Sequence, residues 1–157
     1  MAKVDEFKIV FPNEGVSVRA ARLPGIKERI FDYWVSCLPI APSVWSPAFI
    51  AGHVCYSHYL KMSKPFPWQI TDIYETSDWN VYLNEAPQGI CTLFNGQGYN
   101  GEIICKWGPE VTEPMCYPAF AKVVDEDLDK FYEVNKKIWE MSYSGDKREV
   151  PIVSFEL

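Results

Sequence analysis

Apolar and polar residues alternate with a period of two through Phe7-Lys8-Ile9-Val10-Phe11 and again through Val16-Ser17-Val18-Arg19-Ala20. That period marks strands buried on one face. Pro12-Asn13-Glu14-Gly15 lies between them and carries turn chemistry, so the chain opens with a predicted hairpin. After Leu23-Pro24-Gly25 the period lengthens. Ile26, Ile30, Tyr33, Trp34 and Cys37 fall on one helical stripe, with Lys27, Glu28, Arg29 and Asp32 off it. Pro39 and Pro42 predict the end of this helix.

The stretch from residue 44 to 60 is apolar, aromatic and almost uncharged, and Val54-Cys55-Tyr56-Ser57-His58 is its best strand. Further strands are predicted at about 69–73, 79–83, 90–94 and 102–107. They are separated by a proline-bearing loop and by loops at 84–89 and 95–101, the latter rich in glycine. Residues 108–118 hold three prolines and read as an extended loop, with a short strand at 120–124. Asp125 is a plausible N-cap for a second helix running to about residue 143, with Leu128, Phe131, Ile138 and Trp139 as its apolar stripe and Gly145 as its stop. Val150, Ile152 and Phe155 mark a final strand.

The order is thus two strands, helix, several strands, helix, strand. Many short strands with two amphipathic helices predict a mainly β domain with two helices (α+β), most simply a closed barrel of about eight strands with one helix near each end. The 157 residues suit one domain.

Charge narrows the function. The formal net charge is −6, and the densest basic pairs, Lys136-Lys137 and Lys147-Arg148, sit among acids. Such a surface repels a phosphate backbone, so a nucleic-acid partner is not expected. No run approaches the roughly 18 apolar residues of a membrane span, and the N-terminus mixes both charge signs, so a cytoplasmic protein without membrane association is expected. The five cysteines are odd in number and lack C-x-x-C spacing, which predicts buried free thiols rather than disulfides or a zinc ribbon.

Four patches resemble a known group of proteins. They are Phe31-Asp32-Tyr33-Trp34 leading to Leu38-Pro39-Ile40, the strand Glu102-Ile103-Ile104-Cys105-Lys106-Trp107 ending in Gly108-Pro109, Phe120-Ala121-Lys122-Val123 before the acidic helix start, and the Trp139 helix followed by the last strand. Together they resemble a small bacterial family of cyclophilin-like proteins related to the barrel domain of cucumopine synthase. The resemblance implies a cyclophilin-like barrel. It also implies a chemistry in which an imidazole-bearing amino acid is condensed and cyclised with a 2-oxo acid, without metal or nucleotide. The exposed arginine of peptidyl-prolyl isomerases of that fold has no match at Arg19, Arg22, Arg29 or Arg148, so isomerase activity is not expected.

Candidate chemistry lies in the middle of the chain. His53 and His58 are five apart on a predicted strand and point to opposite faces, so they cannot chelate one metal together, and no metal or other cofactor is expected. Either histidine could move a proton near neutrality, and His53 is preferred because Gly52 allows close approach. Among acids beside aromatic residues or prolines, Glu102 next to the glycine-rich loop and Glu113 in the proline loop are the expected partners. Tyr56, Trp79, Tyr117 and Trp45 are expected to orient a substrate. Gly96-x-Gly98-x-x-Gly101 matches a dinucleotide fingerprint only in letters, since no βαβ unit surrounds it, and a flap is the better reading. Cys116-Tyr117-Pro118 is a conceivable nucleophile loop. The expectation is a metal-independent acid–base enzyme of lyase, cyclase or ring-modifying type for a small metabolite, self-associating as a dimer or larger homo-oligomer. The alternative is a non-catalytic small-molecule binding protein or the partner subunit of a larger enzyme.

Overall fold

The computed structural model describes residues 4–23, 29–47, 52–67, 80–95, 100–110, 116–144 and 150–157. Among these, ten strands form one antiparallel sheet with two α-helices. The elements are β1 (Glu6–Phe11), β2 (Val16–Arg22), α1 (Arg29–Ser36), β3 (Ile40–Val44), β4 (Ser46–Pro47), β5 (Val54–Lys61), β6 (Asn80–Tyr82), β7 (Ile90–Asn95), β8 (Asn100–Lys106), β9 (Cys116–Val123), α2 (Leu128–Tyr143, preceded by a 3-10 turn at Asp125–Asp127) and β10 (Ile152–Glu156). Predicted strand 69–73 lies outside the described residues, as do Trp79 and the loop tip around Gly98.

The opening hairpin is present, with Phe7 opposite Ala20 and Ile9 opposite Val18. Gly15, with φ at +64°, makes its turn possible. Phe7, Ile9 and Phe11 alternate inward and define the axis of the core. Phe7 meets α1 through Phe31 and Trp34, while Phe11 meets α2 through Phe131. The two helices thus cover opposite ends of β1. Trp34 is fully buried against Phe7, Phe120 and Phe155, so residues from β1, β9, β10 and α1 interlock in one aromatic cluster. A second, smaller apolar cluster (Val54, Leu83, Ala86, Ile90, Ile104 and Ala119) packs separately from the first. Buried Lys106 reaches its edge and donates from Nζ to the Leu83 and Ala86 carbonyls at 3.1 and 2.8 Å.

The expected closed barrel is not what the chain forms. The hydrogen-bonded path runs β3-β10-β1-β2-β9-β7-β8-β5-β4, with β6 added on β9, and it stays open between its two ends. The reason is local. Three steps along β3, from Ile40 to Ser43, match only two along β10, from Phe155 to Val153, so a bulge falls at Ala41-Pro42. Proline has no N–H to give a ladder and is tolerated at a bulge or a sheet edge. β4 is only two residues long and pairs Ser46 with Tyr56 and Pro47 with Cys55. β5 in turn loses its register against β8 between Ser57 and Leu60. No long, straight edge remains to close the ring.

Three further expectations change in detail. Pro42 marks a strand rather than only a helix stop. β9 begins at Cys116, earlier than the expected strand at 120, because Pro118 sits where β9 exchanges its partner β6 for β7. Trp139 is 40% exposed, outside the buried stripe of Phe131, Val134, Asn135 and Ile138. Asn135 tolerates burial because its Oδ1 accepts from the Trp45 indole at 2.8 Å and its Nδ2 donates to the Phe131 carbonyl at 2.9 Å. Among the described residues no helix is long and apolar enough to cross a membrane.

The start of α2 is fastened to β2 by one carboxylate. Oδ2 of buried Asp127 accepts from the Arg19 backbone N–H at 2.8 Å and from its Nε at 3.1 Å. Burial pushes the Asp127 carboxyl up, but the Arg19 amide and guanidinium, with Lys130, outweigh it and hold it below its ordinary value of 3.8. A lowered carboxyl contributes stability that is present above the unfolded value and is lost as pH falls through the folded one. Asp127→Ala should therefore lower the urea midpoint at neutral pH. The gap from the unsubstituted protein should narrow as the acid limb is descended, as followed by circular dichroism.

Candidate functional site

The place where the sheet fails to close is a cleft of about 600 Å³. One wall is β3, through Ala41, Pro42 and Val44, and the other is β5, through Tyr56 and His58. The strand geometry dictates which side chains gather there. On β8, Ile103 and Cys105 face the main core, so Glu102 and Ile104 face the other way. Tyr56 lies opposite Ile104 and shares that face. His58 falls in the irregular stretch of β5 beside Glu102.

His58 Nδ1 is 2.9 Å from Glu102 Oε1. The side chain of Glu102 is only 14% exposed, whereas that of His58 is 45% exposed, so the carboxylate stands behind the imidazole relative to solvent. A carboxylate accepts only, so Nδ1 carries the proton and the neutral ring has its lone pair on Nε2. The Tyr56 and His58 rings lie 4.2 Å apart and inclined at 52°, which limits how the imidazole can turn. A base within hydrogen-bond reach of an orienting carboxylate, at the wall of a cleft, is the arrangement that general acid–base catalysis requires.

His53, the preferred histidine from sequence, lies elsewhere. Its ring stacks on Trp107 at 4.2 Å and meets Tyr132 edge-on at 5.9 Å. Its Nε2 is 3.3 Å from Glu110, and Nδ1 is buried with no hydrogen-bond partner among the described residues. Gly108 is required here, because a Cβ at that position would overlap the His53 ring. Burial lowers the His53 pKa from its ordinary 6.5; Glu110 opposes this and Lys106 adds to it. His53 borders a second cleft of about 270 Å³, lined also by Trp107, Glu110, Tyr132, Trp139 and Glu140.

The structure therefore separates His53 from Glu102 and gives each a different partner. Tyr56 stands beside His58 as a candidate for substrate orientation, and Tyr117 packs with it against the smaller apolar cluster. Trp45 is fully buried, in edge contact with Phe11, and lines neither cleft. Trp79 and Glu113 lie outside the described residues. Cys116 begins β9, and burial pushes its thiol up, the reverse of the lowering that activates a nucleophile. Cys37, Cys55, Cys91 and Cys105 are buried. The sequence ranks His58 second to His53 because the partnership of His58 with Glu102 crosses strands 44 residues apart, at a register that no local pattern reveals.

No family model matches the sequence, and no curated protein matches it. Among solved structures, the fold is similar to that of McbB in complex with tryptophan, with a TM-score of 0.71 and 19% sequence identity. The similarity covers 96% of this chain but 44% of that one, so the chain spans less than half of its neighbour's length. At this identity the likeness concerns the fold.

The His53 environment makes a direct prediction. In an NMR titration the His53 ring should protonate below 6.5. Glu110→Gln removes a charge that favours the imidazolium and should move the midpoint lower still. An unchanged or raised midpoint in that variant would contradict the assigned contact.

Proposed function

We propose that the chain is an acid–base enzyme of lyase, cyclase or ring-modifying type, acting on a small polar or ring-bearing metabolite held between β3 and β5. The observation that carries this reading is His58 in the wall of a cleft of about 600 Å³, with Glu102 2.9 Å from its Nδ1. That volume is in the range of small-molecule sites, which run from roughly 300 to 1,000 Å³. Mostly apolar walls, with His58, Lys61 and Ser43, Ser46 and Ser57 as their polar residues, suit a flat ring that must be turned toward a base.

In this proposal Nε2 of His58 takes or returns a proton, and Glu102 steadies the imidazolium that forms. Proton transfer by such a pair calls on neither metal nor nucleotide. A relation to cucumopine synthase, proposed from the four sequence patches, would make the reaction a condensing cyclisation. In that reaction class an amino group adds to the carbonyl carbon of a 2-oxo acid and one water leaves. A ring carbon then bonds to the carbon of the protonated imine, the C=N π pair moves to nitrogen, and the ring surrenders a proton, which the base accepts. The tryptophan carried by McbB, a ring-bearing amino acid, is consistent with this substrate class. A cytoplasmic setting and self-association belong to the same proposal, the latter supported by exposed Val150 and Leu157.

The test incubates the full chain with tryptophan or histidine and a panel of 2-oxo acids, with products followed by mass spectrometry. Turnover should fall by about 10²–10⁴-fold in His58→Asn and in Glu102→Gln. Ligand affinity should change far less in both variants. Ligand binding with no turnover by the unsubstituted protein would reject the enzyme in favour of a non-catalytic binding protein. Turnover unaffected by both substitutions would remove the pair from the chemistry.

A further inference from the structure

The second cleft, around His53, is built differently from the one between β3 and β5, and its chemistry is not used by the acid–base reading. Its walls are aromatic: Trp107 is buried at the base, Tyr132 comes from the middle of α2, and Trp139 is 40% exposed at the rim. Two carboxylates, Glu110 and Glu140, border the same space. We propose that this cleft is a binding site for a small organic cation with an alkylated ammonium head, held by the Trp107, Tyr132 and Trp139 rings and by Glu110 and Glu140.

Three observations support the assignment. An aromatic face attracts a cation through its quadrupole, and the attraction grows where water is partly excluded. The protein already makes this contact with its own side chain: Lys136 Nζ lies 6.0 Å from the Tyr132 ring centroid. Lys136 is exposed and its long stem can swing away, so its ammonium marks where a ligand head would rest. The polar groups also have the right sign. His53 Nε2 lies 3.3 Å from Glu110, its ring is wedged against Gly108, and burial favours its neutral form. With His53 neutral, Glu110 and Glu140 outnumber the Lys136 ammonium among the residues that line the cleft, while Lys106 acts on His53 from outside that lining. A cleft of about 270 Å³ lies just under the range of drug-sized sites, which suits a head group rather than a large ligand.

The experiment is isothermal titration calorimetry on the full chain, with choline and its uncharged isostere 3,3-dimethylbutan-1-ol as probes. The two differ in charge at nearly constant shape. Choline should bind at least about tenfold more tightly than the alcohol. Trp139→Ala, at an exposed position that leaves the core intact, should weaken choline by about tenfold. Lys136→Met, which removes the internal competitor, should strengthen it. His58→Asn should leave choline binding unchanged, so failure of the acid–base reading and failure of this one are told apart. Equal affinity for the two probes, no binding of choline, or indifference to Trp139→Ala would each overturn the proposal. Loss of choline binding in His58→Asn would do so too, by placing the ligand between β3 and β5.

Discussion

The sheet runs out of regular partners at β3, and the placement of the candidate site follows from that. Pro42 falls where β3 bulges against β10, β4 is a two-residue bridge, and β5 slips register between Ser57 and Leu60. Each irregularity removes ladder bonds that a closed ring would need. The chain absorbs the gap because its core is held elsewhere. Phe7, Trp34, Phe120 and Phe155 pack β1, α1, β9 and β10 into one unit, and Asn135 ties Trp45 to α2. A rigid interior thus supports two strands, β3 and β5, that do not pair with each other, and the space between them becomes a cleft with a histidine in its wall.

Their places relative to β5 explain why the two histidines have separate lives. His53 precedes the paired part of the strand and is clamped between Trp107 and Gly108. His58 sits in the irregular part, where its ring is half-exposed yet fixed by Glu102 from behind. One is stacked and largely surrounded by protein, while the other is presented to a cavity. Burial shifts the first away from charge, whereas the second has the orienting carboxylate that a proton carrier uses.

Much of the fold was legible in the sequence because it was written in short-range periods. The alternation at Phe7–Phe11 and Val16–Ala20 and the stripe through Ile30, Tyr33 and Trp34 have direct structural counterparts, whereas Asp125, expected as the N-cap of the second helix, opens a 3-10 turn and Asp127 takes the cap position. What was not legible depends on long-range register. Whether β3 and β5 meet is decided by a bulge at Pro42 and a slip near His58, and neither changes the local pattern of apolar residues. The pairing of His58 with Glu102, rather than of His53 with Glu102, follows from Ser57 lying opposite Ile103. Trp139 followed the helical stripe in sequence but turned out at its margin, since Phe131, Val134, Asn135 and Ile138 already fill the buried face.

The central claim is that the open seam between β3 and β5 is where a ring-bearing small molecule is received. It is tested most directly by NMR chemical-shift mapping of the full chain during titration with tryptophan. The account predicts perturbations concentrated at Ala41, Ser43 and Val44 on one side and at Tyr56, Ser57 and His58 on the other, with Glu102 following. Saturable perturbations confined to other surfaces, with these residues unmoved, would contradict it.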